Sequence, residues 1–218
     1  MPTPEPADPR PPSAPSWYVR ALARAAASRG AAAARRGRAS LAHDCSMQAV
    51  RGLEIAARQS QGNSDDLLWQ SEIGVQRVAM GDLAGGMAAL LRAHEGDDET
   101  LSMHLANAAE MALRGGESVV AIGAAVEAMR LGNAAGKPER ATAAMHVVRR
   151  ASQENPASVE HVVGDRIEAV SGMVSSARAR LDAGDLEAAA ELKDALAEYA
   201  DLEALCAHAH HAAGRWDL

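Results

Sequence analysis

Gly81-Asp82-Leu83 is a phrase that returns along this chain, as Gly116-Glu117-Ser118 and as Gly184-Asp185-Leu186. From Gly81 to Gly116 is 35 residues, and from Gly116 to Gly184 is 68, twice 34. A fixed period of that size is the mark of helical hairpins stacked one per repeat. Glycine suits the end of one helix because it lacks a Cβ, and a following Asp can cap the start of the next. Stacks of this kind present a surface to a partner rather than enclose a reaction.

Working outward from the three turns, the apolar residues keep helical spacing from Ala42 onward. Met47, Val50, Leu53 and Ala57 make one stripe at three- and four-residue steps. Helices are expected from Leu67 to about Met80, from Asp82 to Ala93, from Leu101 to Leu113 and from Ser118 to Leu131. Pro138 suits the first turn of the next helix, which covers Ala141–Ala151 before Asn155-Pro156 interrupts it. Ser158–Leu181 is helical with a break near Gly164 or Gly172, followed by Leu186–Ala197 and Asp201–Ala213. The period would place a further Gly-Asp turn near Arg150, and none is there.

Composition agrees with helix throughout. Hydrophobic residues make up 48% of the 218, yet aromatics are only 2% and Phe is absent. Ala, which the chain uses heavily, is the best helix former and loses no side-chain entropy on folding. Helices faced with Ala can approach closely, but each contact buries little area. The fold class read from the sequence is therefore all-α, antiparallel hairpins stacked as a short α-solenoid behind a disordered N-terminal tail.

The net charge of −7 conceals an asymmetry: residues 1–43 hold seven Arg against Glu5 and Asp8, and the remainder hold 15 basic and 27 acidic side chains. The acidic body argues against a nucleic-acid footprint there. Residues 1–16 carry seven prolines and read as a disordered leader. Residues 17–41 form an Ala/Arg-rich basic segment, and 42–218 the helical repeat domain. The basic segment reads as a poorly ordered solvated helix, as an organelle-targeting presequence, or as an arm drawn to membranes or nucleic acid. Two cysteines 161 residues apart, Cys45 and Cys206, suit free thiols in a reducing compartment, and no apolar run is long enough to span a bilayer. A cytoplasmic protein is expected.

The residues around the turns resemble tetratricopeptide repeats, paired antiparallel helices stacked in a curved array. Gly74, Gly86 and Ala93 stand around Gly81-Asp82 where that motif has small residues. Ala109, Ala121 and Ala128 do so around Gly116, and Ala177 and Ala189 around Gly184. The chain departs from the motif at its aromatic wedges, which are replaced by Arg77, Ala112 and Arg180 and by Leu90, Ala125 and Lys193. The resemblance covers about residues 65–214, with 135–170 poorly matched. It implies a concave groove lined by the first helix of each hairpin: Leu68, Ser71, Val75 and Val78; Met103, Ala106, Glu110 and Leu113; and Ser171, Val174, Arg178 and Leu181. Such a groove is mostly apolar and would hold a helical or apolar segment of another protein.

Local chemical motifs are lacking. None of the eight histidines has Glu three residues before it, as a di-iron bundle requires. Cys206 and His210, one helical turn apart, are the best metal candidates, but two ligands do not close a site. Asp65-Asp66 and Asp97-Asp98-Glu99 stand at helix starts, where capping explains them. No phosphate loop or nucleophile elbow is present, and no cofactor is implied. The expected function is a protein-interaction scaffold or chaperone-like module, and the alternative is a small helical enzyme or metal binder. Because Leu218 stands where a repeat would begin its second helix, that end is expected either to offer a docking surface to another copy or another chain, or to be truncated.

Overall fold

The computed structural model describes residues 16–59 and 65–212. The Pro-rich leader lies outside the described residues, as do Ser64 and Gly214. Among the described residues all regular structure is helical, in nine helices. These are α1 (Ser16–Ala34), α2 (Ala39–Gln59), α3 (Asp65–Ala79), α4 (Leu83–Ala93), α5 (Asp98–Gly115), α6 (Ser118–Ala134), α7 (Pro138–Glu154), α8 (Pro156–Asp182) and α9 (Ala188–Ala212).

The repeated phrases build one turn three times. Gly81, Gly116 and Gly184 have φ of 95°, 92° and 94°, a conformation that a side chain would strain. At each, the glycine N–H donates three residues back and the next N–H five residues back: Gly81 to Val78 and Asp82 to Arg77, Gly116 to Leu113 and Glu117 to Ala112, Gly184 to Leu181 and Asp185 to Arg180. This pair of bonds satisfies carbonyls that a helix end leaves free. The same pair recurs at Gly37-Arg38 and Gly136-Lys137. Asp82 and Asp97 then accept from the backbone N–H of Gly85 and Thr100, at 2.8 and 3.0 Å, and start α4 and α5.

The helices stack in two layers. α3, α5, α7 and α9 neighbour one another in turn, and α4, α6 and α8 form the second layer behind them. Close approach is set where side chains are missing. A Cβ on Gly74 would lie 2.6 Å from Leu90 Cγ, and one on Gly86 2.9 Å from the Gly74 carbonyl oxygen. At Gly132 it would meet the Ala141 nitrogen at 2.9 Å. One hydrophobic cluster runs from Val78 through α5, α6 and α7 to Ala209, made largely of Ala, Leu and Val. Inside it the Ser102 hydroxyl donates to the Ala128 carbonyl at 2.7 Å, tying α5 to α6.

Two expectations about helix breaks need correction. Gly164 and Gly172 do not break a helix, and α8 is continuous for 27 residues. No break separates Ala197 from Asp201, so α9 is a single helix, since Glu198-Tyr199-Ala200 contains neither Gly nor Pro. The turn missing near Arg150 has a structural cause. α7 runs straight through that position and meets α8 at Asn155-Pro156, where Asn155 accepts from the Ser158 N–H. α7 therefore takes the place of a first helix and α8 that of a second, which puts α9 in the first-helix layer.

The basic segment 17–41 is helical over most of its length, with one face packed and the other exposed. It supplies α1 and the start of α2, and Ala23, Ala26, Gly30 and Ala33 are buried. A Cβ on Gly52 would touch Ala23 Cβ at 3.0 Å, and one on Gly30 would lie 3.2 Å from Cys45 Cβ. Small residues thus bring α1 against α2 as they bring α3 against α4. Both cysteines are free thiols, and no described helix is long and apolar enough to cross a membrane.

These contacts separate two classes of glycine. Gly86→Ala is expected to cost about 1–3 kcal/mol through overpacking against Val78 and the Gly74 backbone. Gly164→Ala, where a Cβ meets nothing within 4 Å, is expected to gain about 0.5–1 kcal/mol. Urea unfolding of the two variants checks both signs.

Candidate functional site

α1 lies across the free face of the first-helix layer. Near its start the Arg20 guanidinium stacks over the Trp69 ring at 4.6 Å and pairs with Glu72 at 3.0 Å, and Arg24 also pairs with Glu72. Near its end Gly30, Ala31 and Ala34 share a cavity of about 560 Å³ with Ala79 of α3 and with Asn107 and Met111 of α5. α1 therefore runs in the same direction as α3 and α5. A second, separate hydrophobic cluster joins Ala23 to Leu53, Ala56, Trp69, Ile73 and Ala89.

This geometry covers part of the expected groove. On α3 Trp69, Ser71, Glu72, Val75 and Gln76 face α1 or the openings beside it, and on α5 His104, Asn107, Glu110 and Met111 do. Of the expected positions on these helices, Ser71, Val75 and Glu110 thus line the openings, and the others lie roughly 100° around the helix, one residue before a residue that does. Val78 and Leu113 are core, and Val75, Ala106 and Met103 are half-buried, with Val75 and Ala106 packed on the main cluster. Glu110 turns toward α7, accepting from Arg150 at 2.6 Å and from Arg114 at 2.8 Å. Ser71 is buried and bonded to His94, and only Leu68 stands exposed. These residues largely serve contact between neighbouring helices of one layer.

Val174 and Arg178, with Ser171 and Leu181, lie on α8 and so on the second layer. They do not continue a groove with the α3 and α5 residues. The reason is the one-helix shift at Asn155-Pro156.

Beneath the edge of α1 two imidazoles stack. The His94 and His104 rings lie 4.7 Å apart at 15°, and His94 Nε2 is 3.0 Å from the Ser71 hydroxyl. Burial pushes both imidazoles below their ordinary range; His94 lowers His104 further, while Asp97 partly offsets the effect on His94. His104 lines a cleft of about 330 Å³ between α1, α2, α3 and α5.

A wider opening was not foreseen. It is a groove of about 910 Å³ between the end of α6, α8 and α9. Its apolar lining comes from Met129, Ala169, Gly172, Met173, Ala195 and Ala197. Around these, Arg166 donates to Glu198 at 2.7 Å and Asn133 to Asp201 at 2.7 Å. Asp194 also lines it, and no described ion pair neutralises that carboxylate. The sequence signal was the length of α8, 27 residues against 17 for α7.

The metal candidates stay sparse. His210 Nε2 is 3.7 Å from Glu160 Oε1, and burial, then Glu203 and Glu160, raise the Cys206 thiol above its ordinary range. A raised thiol opposes the thiolate that a metal needs. Among the described residues no three His, Cys, Asp or Glu side chains gather as a metal site would require. Arg29, Arg35, Arg36 and Arg38, around the end of α1, are exposed and enter no described ion pair. No protein-family model, curated protein or solved structure matches the sequence or its fold.

Two measurements check the site. Glu72→Ala should cost about 1 kcal/mol, because it leaves Arg20, stacked on Trp69, and its neighbour Arg24 without a counter-charge. Hydrogen exchange should then speed up in α1 and leave α6 and α7 unchanged. The histidine pair gives a pH dependence of definite sign. Its folded-state proton affinity is below that of the unfolded chain, so stability is complete above about pH 6.5 and falls as pH drops through that value. The urea midpoint should fall between pH 7.5 and pH 5.5, and His104→Gln should reduce that fall.

Proposed function

We propose that this protein is an interaction scaffold that holds a helical segment of another protein against its stacked hairpins. The observation that carries the reading is the open groove between α6, α8 and α9, with an apolar floor and a charged rim. The face first expected to do this is already partly covered by α1. Along α8 the groove lining extends from Arg166 to Ala177. At 1.5 Å per residue that is about 16 Å, enough for about three turns of a partner helix.

The rim suggests the chemistry of the partner. α9 contributes Glu191, Asp194, Glu198 and Asp201, against Arg130 and Arg166 from α6 and α8. With Arg130 engaged by Glu127 and Arg166 by Glu198, the surplus is acidic. An amphipathic helix with a stripe of apolar side chains and a basic edge complements it. Met173, 51% exposed on the floor, is a flexible side chain that adapts to such a surface. A tetratricopeptide-like origin for the array belongs to the same proposal. It is supported by the three identical turns, the two-layer order of the helices and the small residues between them.

A labelled amphipathic peptide of about three helical turns, with a Leu stripe and flanking Lys, tests the groove. Fluorescence anisotropy should give a Kd on the order of micromolar, the range for a small transient interface. Met173→Asp should weaken binding at least about tenfold, the loss expected when an apolar anchor is replaced by a charge. Asp194→Lys should weaken it mainly at low salt. Val119→Asp, at an exposed site away from the groove, should leave it intact. Equal affinity for all four proteins would exclude the groove as the binding surface.

A further inference from the structure

The contact between α1 and the first-helix layer is the least satisfied part of the fold. Of the buried side-chain atoms without a hydrogen-bond partner among the described residues, Arg20 Nε, Trp69 Nε1 and Gln76 Oε1 all lie at this contact. Native interiors keep such atoms rare, and an unmet polar atom asks for a partner that the protein itself does not supply. The cleft of about 330 Å³ opens at the same place. Gln76 lines it and is only 8% exposed.

We propose that this cleft binds a small, flat, neutral molecule through an N–H donor given to Gln76 Oε1. Its walls define that class. Ala23 and Ala27 of α1, Leu53 of α2 and Val75 of α3 provide apolar sides, and the His104 imidazole provides an aromatic one. His104 already stacks on His94 at 4.7 Å, and the two form a short column of rings that a third flat ring extends. A donor is required because the amide oxygen accepts. A cation is disfavoured because the carboxylate here, Glu72, already faces two guanidiniums, Arg20 and Arg24, and a carboxylate ligand, though not repelled, brings no donor for Gln76 Oε1. Burial also holds both imidazoles in their neutral form near pH 7, in keeping with a site that excludes cations. The volume lies at the small end for ligand pockets and suits one or two fused rings.

The site is separate from the α6–α8–α9 groove and does not depend on it. Gln76→Leu keeps the size of the side chain and removes its acceptor, so the two roles of Gln76 separate. In the free protein this change deletes a buried unsatisfied atom, and the thermal midpoint should rise by a few degrees.

The test uses the full chain at pH 7.5, titrated with indole and benzimidazole as flat neutral N–H donors. Naphthalene serves as the flat molecule without a donor, and benzoate and benzylamine as the charged ones. NMR signals of the Gln76 side-chain amide and of the His104 ring follow occupancy. Indole and benzimidazole should move both signals saturably, and naphthalene and the two ions should bind at least about tenfold more weakly, since a site built around a hydrogen bond rejects analogues that cannot form it. Gln76→Leu should lose the preference for indole over naphthalene. Ala27→Leu, which fills the cleft from α1 without touching Gln76, should abolish binding of both. Failure of the donors to saturate, equal binding of naphthalene, or an indole preference retained in Gln76→Leu would each overturn the assignment.

Discussion

Close approach of paired helices, at positions where a side chain is missing or is a single methyl, is the constraint on which this structure depends. Gly74 against Gly86 and Leu90, Gly132 against Ala141, Gly52 against Ala23 and Gly30 against Cys45 are one device used four times. An Ala-rich chain has little bulky apolar area to bury, so it gains stability from many short contacts rather than a few large ones. Among the described residues only Trp69 supplies a large buried aromatic, and it sits where α1, α2 and α3 converge. The two hydrophobic clusters follow from this arrangement. The main one runs through the stacked layers, and the smaller one fastens the first hairpin to them.

The same economy of side chains leaves openings. Helices held close at glycine cannot all be close elsewhere, and small residues do not fill the gaps between diverging helices. The cavity at the end of α1 and the groove under the α8–α9 hairpin have walls rich in Ala and Gly, and the cleft beside the His94–His104 pair opens where α1 presents Ala23 and Ala27. Function in such a fold therefore rests on which openings carry polar groups aimed at a ligand. Gln76 distinguishes the cleft, and Asp194 together with Met173 distinguishes the groove.

The turns were legible because their physics is local. The glycine of each phrase marks the end of a helix, and the three adopt one turn geometry, whereas of the residues that follow them only Asp82 caps the next helix with its side chain. The arrangement in space was less legible. In α1 and α9 alanine occurs on every face, so the sequence pattern does not point to the side that packs. Asn155-Pro156 joins two helices without a spacer, and nothing in the period announces that this exchanges the layers of α8 and α9. Of the groove residues expected on α3 and α5, Ser71, Val75 and Glu110 line the openings beside α1, while Val78 and Leu113, one position before lining residues, are core. The Arg20 and Arg24 pair was visible on one helical face, but its partner Glu72 lies some fifty residues away.

The central claim, that helices meet where side chains are absent and that α1 belongs to this scheme, can be tested with a native thiol. Gly30→Cys would place a second sulfur opposite Cys45, with the two Cβ atoms 3.2 Å apart before a shift of a few tenths of an ångström brings them to disulfide spacing. Mild oxidation of the folded variant should close this bridge quantitatively, and the same treatment in urea should not. If both thiols of the folded variant stay free and react with a thiol reagent, α1 is not seated on α2, and the account fails.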